Sequence, residues 1–225
     1  MLYKQIHEKY MKDILKSLFS SEISDKIAFK WWTLVYFLYW LDRFSTDIDL
    51  DLIDIEYESK VIDKIEYSLL SLWDIKSFLK WNTLHRWVFR YDEFAPNIKI
   101  ELNKRIWQNN EYKRVDCLWN SMNVMQKSSI FANKLVACYE RTENRDLYDI
   151  YFFLQNNYNF NDKIISERTG LSSQNFLKNL IDSIPKRYNK SHILHKLWEV
   201  VNQKQKYWIK ENLINQVIEE LKRFV

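Results

Sequence analysis

The sequence predicts an α+β protein: a mixed β-sheet lobe with helices over residues 1–125, followed by an α-helical C-terminal lobe over residues 126–225. Three observations carry that expectation. Residues 48–53 and 98–102 alternate apolar and polar side chains, the period of a strand with one buried face. Ile6, Tyr10, Ile14, Leu15 and Leu18 recur at the spacing of an amphipathic helix. Beyond Met125 apolar residues keep helical spacing, with no further alternating strand of comparable quality.

In chain order, residues 27–30 read as a short strand, 33–39 as a helix, 48–53 as a strand and 57–70 as a helix. Residues 75–79, 84–91 and 98–102 follow as strands. Helices are then predicted over 128–140, 146–156, 172–184, 192–201 and 207–224, with no internal repeat and no low-complexity linker.

With 47% hydrophobic and 28% charged residues, the composition is that of a folded globular chain. Its longest largely apolar run, residues 31–41, is too short to span a bilayer, so a cytoplasmic protein with no membrane partner is expected. Cys117 and Cys138 lack the spacing of a zinc site or a disulfide framework and are expected to be buried thiols. The net charge of +4 conceals an acidic pole, with nine Asp or Glu against three Lys or Arg between Asp42 and Glu66. Such a pole suits either a cation site or ordinary solvated charge.

Glycine is nearly absent. At a usual content of about 7%, roughly 16 would be expected, yet Gly170 stands alone beside ten Trp. Trp31 and Trp32 fall between a predicted strand and a predicted helix, and Trp40 precedes a polar break, positions that suit a turn residue. One reading is that the source decodes UGA as glycine and that the conceptual translation wrote tryptophan. The alternative is a truly Trp-rich protein.

The chemistry centres on residues 43–52. Strand alternation puts Asp47, Asp49 and Asp51 on one face and Ile48, Leu50 and Leu52 on the other. Three carboxylates in a row repel, and a hard divalent cation would offset them. Magnesium fits best, because it takes one or two protein carboxylates and leaves its other positions to water and phosphate oxygens. A solvated strand edge is the plainer alternative. Glu101, on the polar face of residues 98–102, would supply a third carboxylate, or else sits at the surface beside Lys99. Trp31-Trp32-Thr33 marks the strand-to-helix turn, which would bind phosphate through its amides if the two Trp were glycines. Thr33 would cap the helix in either case. Lys134 and Arg141, seven residues apart, share one helix face and would hold phosphates. Asp146 would cap the next helix or orient Arg145, and Asp149, one turn on, would position Lys134 or the attacking group. A structural ion-pair network is the alternative for this set. Lys186, Arg187, Lys190, His192, His195 and Lys196 form a basic stretch that suits either RNA phosphates or a solvated helix face.

From about residue 29 to 153 these parts resemble the AbiEii/AbiGii-type nucleotidyltransferase toxins of the polymerase-beta-like superfamily. In that family a Gly-Gly-Thr turn precedes an Arg-x-Ser-x-Asp-x-Asp strand, matched here by Trp31-Trp32-Thr33 and then Arg43, Ser45, Asp47 and Asp49. A helix carrying a lysine and an arginine follows, before an Arg-Asp-x-x-Asp sequence, matched by Lys134, Arg141, Arg145, Asp146 and Asp149. The Trp pair is the departure. The resemblance implies a nucleotidyltransferase-type fold whose helical lobe completes the active site. It further implies transfer of a nucleoside monophosphate from a nucleoside triphosphate to a hydroxyl acceptor. Asp47, Asp49 and Glu101 would hold Mg2+, and Trp31, Trp32, Thr33, Arg43, Ser45, Lys134 and Arg141 would bind the nucleotide. Asp47, Asp49, Glu101, Lys134 and Asp149 would be catalytic. A toxin role in a type IV toxin-antitoxin or phage-defence (abortive-infection) system, a transfer-RNA 3′ end as acceptor and a cognate antitoxin as partner are implied in the same way. The alternative is a catalytically inactive homologue that binds protein or RNA.

Overall fold

A computed structural model describes residues 2–72, 74–93, 95–118 and 120–225. The chain divides into two compact units. The first comprises Met1–Trp40, Ser45–Ile106 and Tyr112–Met125, and the second Leu41–Phe44, Trp107–Glu111 and Gln126–Val225.

The first unit is built on a mixed seven-stranded sheet of order β3-β4-β5-β2-β1-β7-β6. Its strands are β1 (Ile27–Lys30), β2 (Asp47–Leu52), β3 (Asp74–Lys80), β4 (Leu84–Arg90), β5 (Ile98–Asn103), β6 (Tyr112–Cys117) and β7 (Asn120–Met125). Helices α1 (Leu2–Phe19), α2 (Trp31–Tyr39) and α3 (Glu58–Leu70) complete the unit. β2 lies inside the sheet, antiparallel to β1 and parallel to β5. Its alternation decides its place: Ile48, Leu50 and Leu52, with Ile98, Ile100 and Leu102 of β5, are withdrawn from solvent. Met11, Ile14, Leu15 and Leu18 of α1, and Val61, Ile65 and Leu69 of α3, are equally buried.

The second unit is helical, with α4 (Lys127–Glu140), α5 (Asn144–Gln155), α6 (Asp162–Thr169), α7 (Ser173–Arg187) and α8 (Gln203–Leu221). Its core draws on Phe131, Leu135, Phe153, Phe176, Leu180 and Leu213. Phe131 and Phe153 stack with ring centroids 4.9 Å apart. The ends are capped as side-chain chemistry dictates. Ser172 accepts from the Asn175 amide at the start of α7, and Asn202 and Gln205 form a reciprocal capping box on α8.

Several local expectations need correction. Residues 192–201 form consecutive turns ending in a bend at Val201 rather than a helix. Ile193, Leu197 and Val201 are buried as their helical spacing required, but Lys196 adopts φ 62°, and a left-handed residue cannot continue a right-handed helix. The β6–β7 hairpin and α6 are additional elements. Cys138 is buried, whereas Cys117 is only half-buried. Thr33 does not cap α2, whose N-cap is Lys30 without a side-chain bond. Among the described residues, no helix is long and apolar enough to cross a membrane.

Candidate active site

β2 brings Asp47, Asp49 and Asp51 to one face of the sheet, and the three meet different surroundings. Asp51 is fully buried. Lys30 donates to its Oδ1 at 2.6 Å, Asn103 Nδ2 to the same oxygen at 2.9 Å, and the Tyr112 hydroxyl to Oδ2 at 2.8 Å. A buried carboxylate with a cation and two neutral donors is a satisfied structural group. The charge predicted for the innermost aspartate is therefore offset by a lysine from β1. Asp49 and Asp47, two and four residues earlier, are half-buried, so solvent reaches both.

The register supplies their neighbours. Asp49 lies opposite Lys30 on β1 and Glu101 on β5, while Asp47 lies opposite Lys99. Directly opposed residues share a face, so Glu101 stands beside Asp49 as expected. Its carboxylate also accepts from Arg86 Nε at 2.7 Å. Among the described residues no group of three or more His, Cys, Asp or Glu is arranged to hold a metal ion. The two accessible aspartates alone match the one or two carboxylates that magnesium takes from a protein. The donor set therefore fits such an ion through Asp47 and Asp49, with Glu101 committed to Arg86.

The chain entering β2 is held in place. Thr33 Oγ1 bonds Ser45 Oγ at 2.9 Å and donates to the Asp47 carbonyl. His7 Nε2 lies 2.9 Å from the Thr46 carbonyl and Nδ1 lies 2.9 Å from the Tyr91 hydroxyl. A carbonyl only accepts, so Nε2 carries the proton and Nδ1 receives the hydroxyl hydrogen. Burial lowers the His7 pKa against the opposing pull of Thr46 and Asp47, favouring the neutral ring. Lys30, Asn103, Tyr112 and His7 were not singled out by sequence. Their partners lie tens of residues away, and only the long-range pairing identifies them.

At α2, Trp31 has φ 60° and Trp40 has φ 55°. Trp32 and Thr33 are buried. Lys30 Nζ sits 5.4 Å from the Trp31 ring centre.

In the second unit, Arg43, Asp149, Lys134, Asp146 and Arg141 form one chain of alternating charge. Arg43 makes a two-pronged contact with Asp149, Nε to Oδ1 at 2.6 Å and Nη2 to Oδ2 at 2.8 Å. Lys134 Nζ lies 3.3 Å from Asp149 and 2.5 Å from Asp146. Arg141 Nε donates to Asp146 Oδ2 at 2.8 Å. Arg43, Lys134, Asp146 and Asp149 are all buried, whereas the Arg141 side chain is 60% exposed. Burial resists ionisation of Asp146, but Lys134 and Arg141 prevail and bring its pKa down to about 2. Asp146 thus receives Lys134 and Arg141, where sequence expected it to cap a helix or orient Arg145. Asp149 does contact Lys134.

Tyr148, one residue before Asp149, donates to Asp42 at 2.9 Å, and Gln205 donates to the same tyrosine oxygen at 2.9 Å. These contacts tie α5, α8 and the 41–44 segment together. Of the basic stretch at 186–196, Arg187 bonds the Tyr139 carbonyl at 2.6 Å and Lys196 pairs with Glu143 at 2.8 Å.

A family model described as "Nucleotidyl transferase AbiEii toxin, Type IV TA system" matches residues 83–205, more than half of the chain. The chain belongs to this family. Membership makes it a nucleotidyltransferase-family protein of the type IV toxin class. Solved structures agree on the fold. A putative nucleotidyltransferase from Helicobacter pylori is 19% identical with a TM-score of 0.63, covering 98% of this chain and 97% of its own. JHP933, also from H. pylori, is 18% identical with a TM-score of 0.59 and coverages of 98% and 94%. MenT4, a nucleotidyltransferase toxin from Mycobacterium tuberculosis H37Rv, is 13% identical with a TM-score of 0.58, covering 99% of this chain and 87% of its own. No curated protein sequence matches the chain.

Proposed function

We propose that this AbiEii-family chain transfers a nucleoside monophosphate from a nucleoside triphosphate to a hydroxyl acceptor and releases pyrophosphate. The carrying observation is the pair of solvent-reached carboxylates, Asp47 and Asp49, on one face of a strand whose third aspartate is already neutralised. Asp47 and Asp49 would hold Mg2+, which when bound polarises phosphoryl oxygens and offsets triphosphate charge. Glu101, in register with Asp49, completes the acidic face. Thr33 and Ser45 fix the backbone that delivers Asp47. Arg141 is the exposed end of the ion chain within the helical unit and is open to a phosphate group. Lys134 and Asp149 act as positioning residues that hold Arg43 and Asp146. The acceptor in this reading is the 3′ end of an RNA, a transfer RNA in the first instance, and the neighbouring partner is a cognate antitoxin.

Transfer of labelled nucleotide to RNA by the chain and by Asp49→Ala tests the reaction. A loss of about a hundredfold or more is expected, and equal incorporation by the two proteins rejects it. A second reading, an inactive homologue that binds protein or RNA, draws on the indoles of Trp31 and Trp32 at the phosphate-facing turn of the family pattern. Thermal stability distinguishes the two. Only a competent site is stabilised by a nucleoside triphosphate in a magnesium-dependent way, by about 2.7 kcal/mol at a hundredfold excess over Kd.

A further inference from the structure

The glycine deficit and the backbone converge on two positions. Among the described residues, five that are not glycine have φ in the left-handed region, and two of them are tryptophans, Trp31 and Trp40. A Cβ in that region crowds the backbone, and apart from glycine it is mainly Asn and Asp that tolerate it. Tryptophan has no local hydrogen bond to offer in return.

Trp40 has a direct counterpart in the same protein. Gly170, the sole glycine, ends α6 at φ 71° ψ 4°, and its amide donates to the Ser166 carbonyl. Trp40 ends α2 at φ 55° ψ 42°, and its amide donates to the Val35 carbonyl. Both are left-handed helix caps, the position in which glycine is most enriched. The Trp40 side chain gains little from being large, since the residue is 83% exposed. Trp31 stands at φ 60° at the other end of the same helix, with Lys30 Nζ near its ring.

Trp87 sets the contrast. It lies in β4, is fully buried, stacks on Phe78 with centroids 4.8 Å apart, and donates its indole N–H to Glu66 at 3.2 Å. The indole has both a stacked ring and an acceptor there, and the strand backbone accommodates it.

We propose that the native residues at positions 31 and 40 are glycines, each specified by a UGA codon that the source organism reads as glycine, and that position 87 is a true tryptophan. One helix is thereby bounded at both ends by residues without a Cβ. The inference stands on composition and backbone geometry, independently of nucleotidyl transfer, and its tests do not read activity.

The gene and the native protein decide it. Expected are UGA at codons 31 and 40, UGG at codon 87, and glycine at 31 and 40 in tandem mass spectra of protein purified from source cells. UGG at codon 31 or 40, or tryptophan in either peptide, overturns the proposal. The conformational premise has its own test, the melting temperatures of Trp40→Gly and Trp40→Ala. Relief of left-handed strain should put the glycine variant roughly 2–4 °C above the alanine variant. An alanine variant of equal or higher melting temperature contradicts the premise. If the Trp-bearing chain does not fold in a heterologous host, the paired change Trp31→Gly with Trp40→Gly is expected to restore soluble protein, and failure to do so counts against it.

Discussion

The two charge-rich regions of this protein use the same residue types to different ends. Along α4 and α5, Lys134, Asp146 and Asp149, together with Arg43, are buried and saturate one another through bonds of 2.5–3.3 Å. Along β2, Asp51 is enclosed in the same manner by Lys30, Asn103 and Tyr112, but Asp47 and Asp49 remain within reach of solvent. The difference is burial. A carboxylate sealed among cations supports the fold, and removing its partner leaves an uncompensated charge in a low-dielectric interior. A carboxylate that water can reach can exchange that water for an ion or a phosphate-bound metal.

Substitutions should separate the regions sharply. Arg43→Ala strips Asp149 of its two-pronged partner and should cost about 3–5 kcal/mol in urea denaturation. A loss under about 1 kcal/mol would mean that the network is not the support described. Lys30→Ala should behave similarly, because it leaves Asp51 buried with only neutral donors. Asp47→Asn and Asp49→Asn should instead change stability by no more than about 1 kcal/mol, since relief of like-charge repulsion offsets lost contacts.

Acid sharpens the same contrast. Asp146 has a folded-state pKa of about 2, below its ordinary value of 3.8. Its contribution is therefore fully present above pH 4 and is lost as pH falls toward 2, with stability declining on the order of 2 kcal/mol across that window. Lys134→Met, which removes one of the two cations holding Asp146 ionised, should flatten that decline. An unchanged acid limb would place its origin elsewhere. A comparably small effect is expected outside both regions. Asn202→Ala removes one half of the α8 capping box and should cost about 1 kcal/mol.

How much of this was legible in the sequence varied with the range of the interaction. β2 and β5 were readable because their alternation is a local record of one buried face, whereas β1, buried along its whole length, read only as a short apolar run. The β6–β7 hairpin was not. β6 is an edge strand whose Tyr112-Lys113-Arg114-Val115-Asp116-Cys117 is largely open to solvent, so burial imposes no alternation on it. Residues 192–201 carried the helical apolar pattern without the helix, because the pattern records which residues are buried and not the backbone turn at Lys196. At the candidate site, Asp47, Asp49 and Glu101 were identifiable as a shared face. The Lys30 contact that removes Asp51 from the set was invisible, since nothing local couples the two. Arg43 illustrates the same limit. Its place beside Ser45 and Asp47 in the motif suggested a nucleotide ligand, while its observed partner, Asp149, lies 106 residues away.

The account rests on Asp47 and Asp49 being the carboxylates that take up a divalent ion. Binding of Mn2+ followed by electron paramagnetic resonance measures this directly. The expected result is one site that Mg2+ competes for and that disappears in the Asp47→Asn, Asp49→Asn double variant. Undiminished Mn2+ affinity in that variant, with the fold intact, would contradict it.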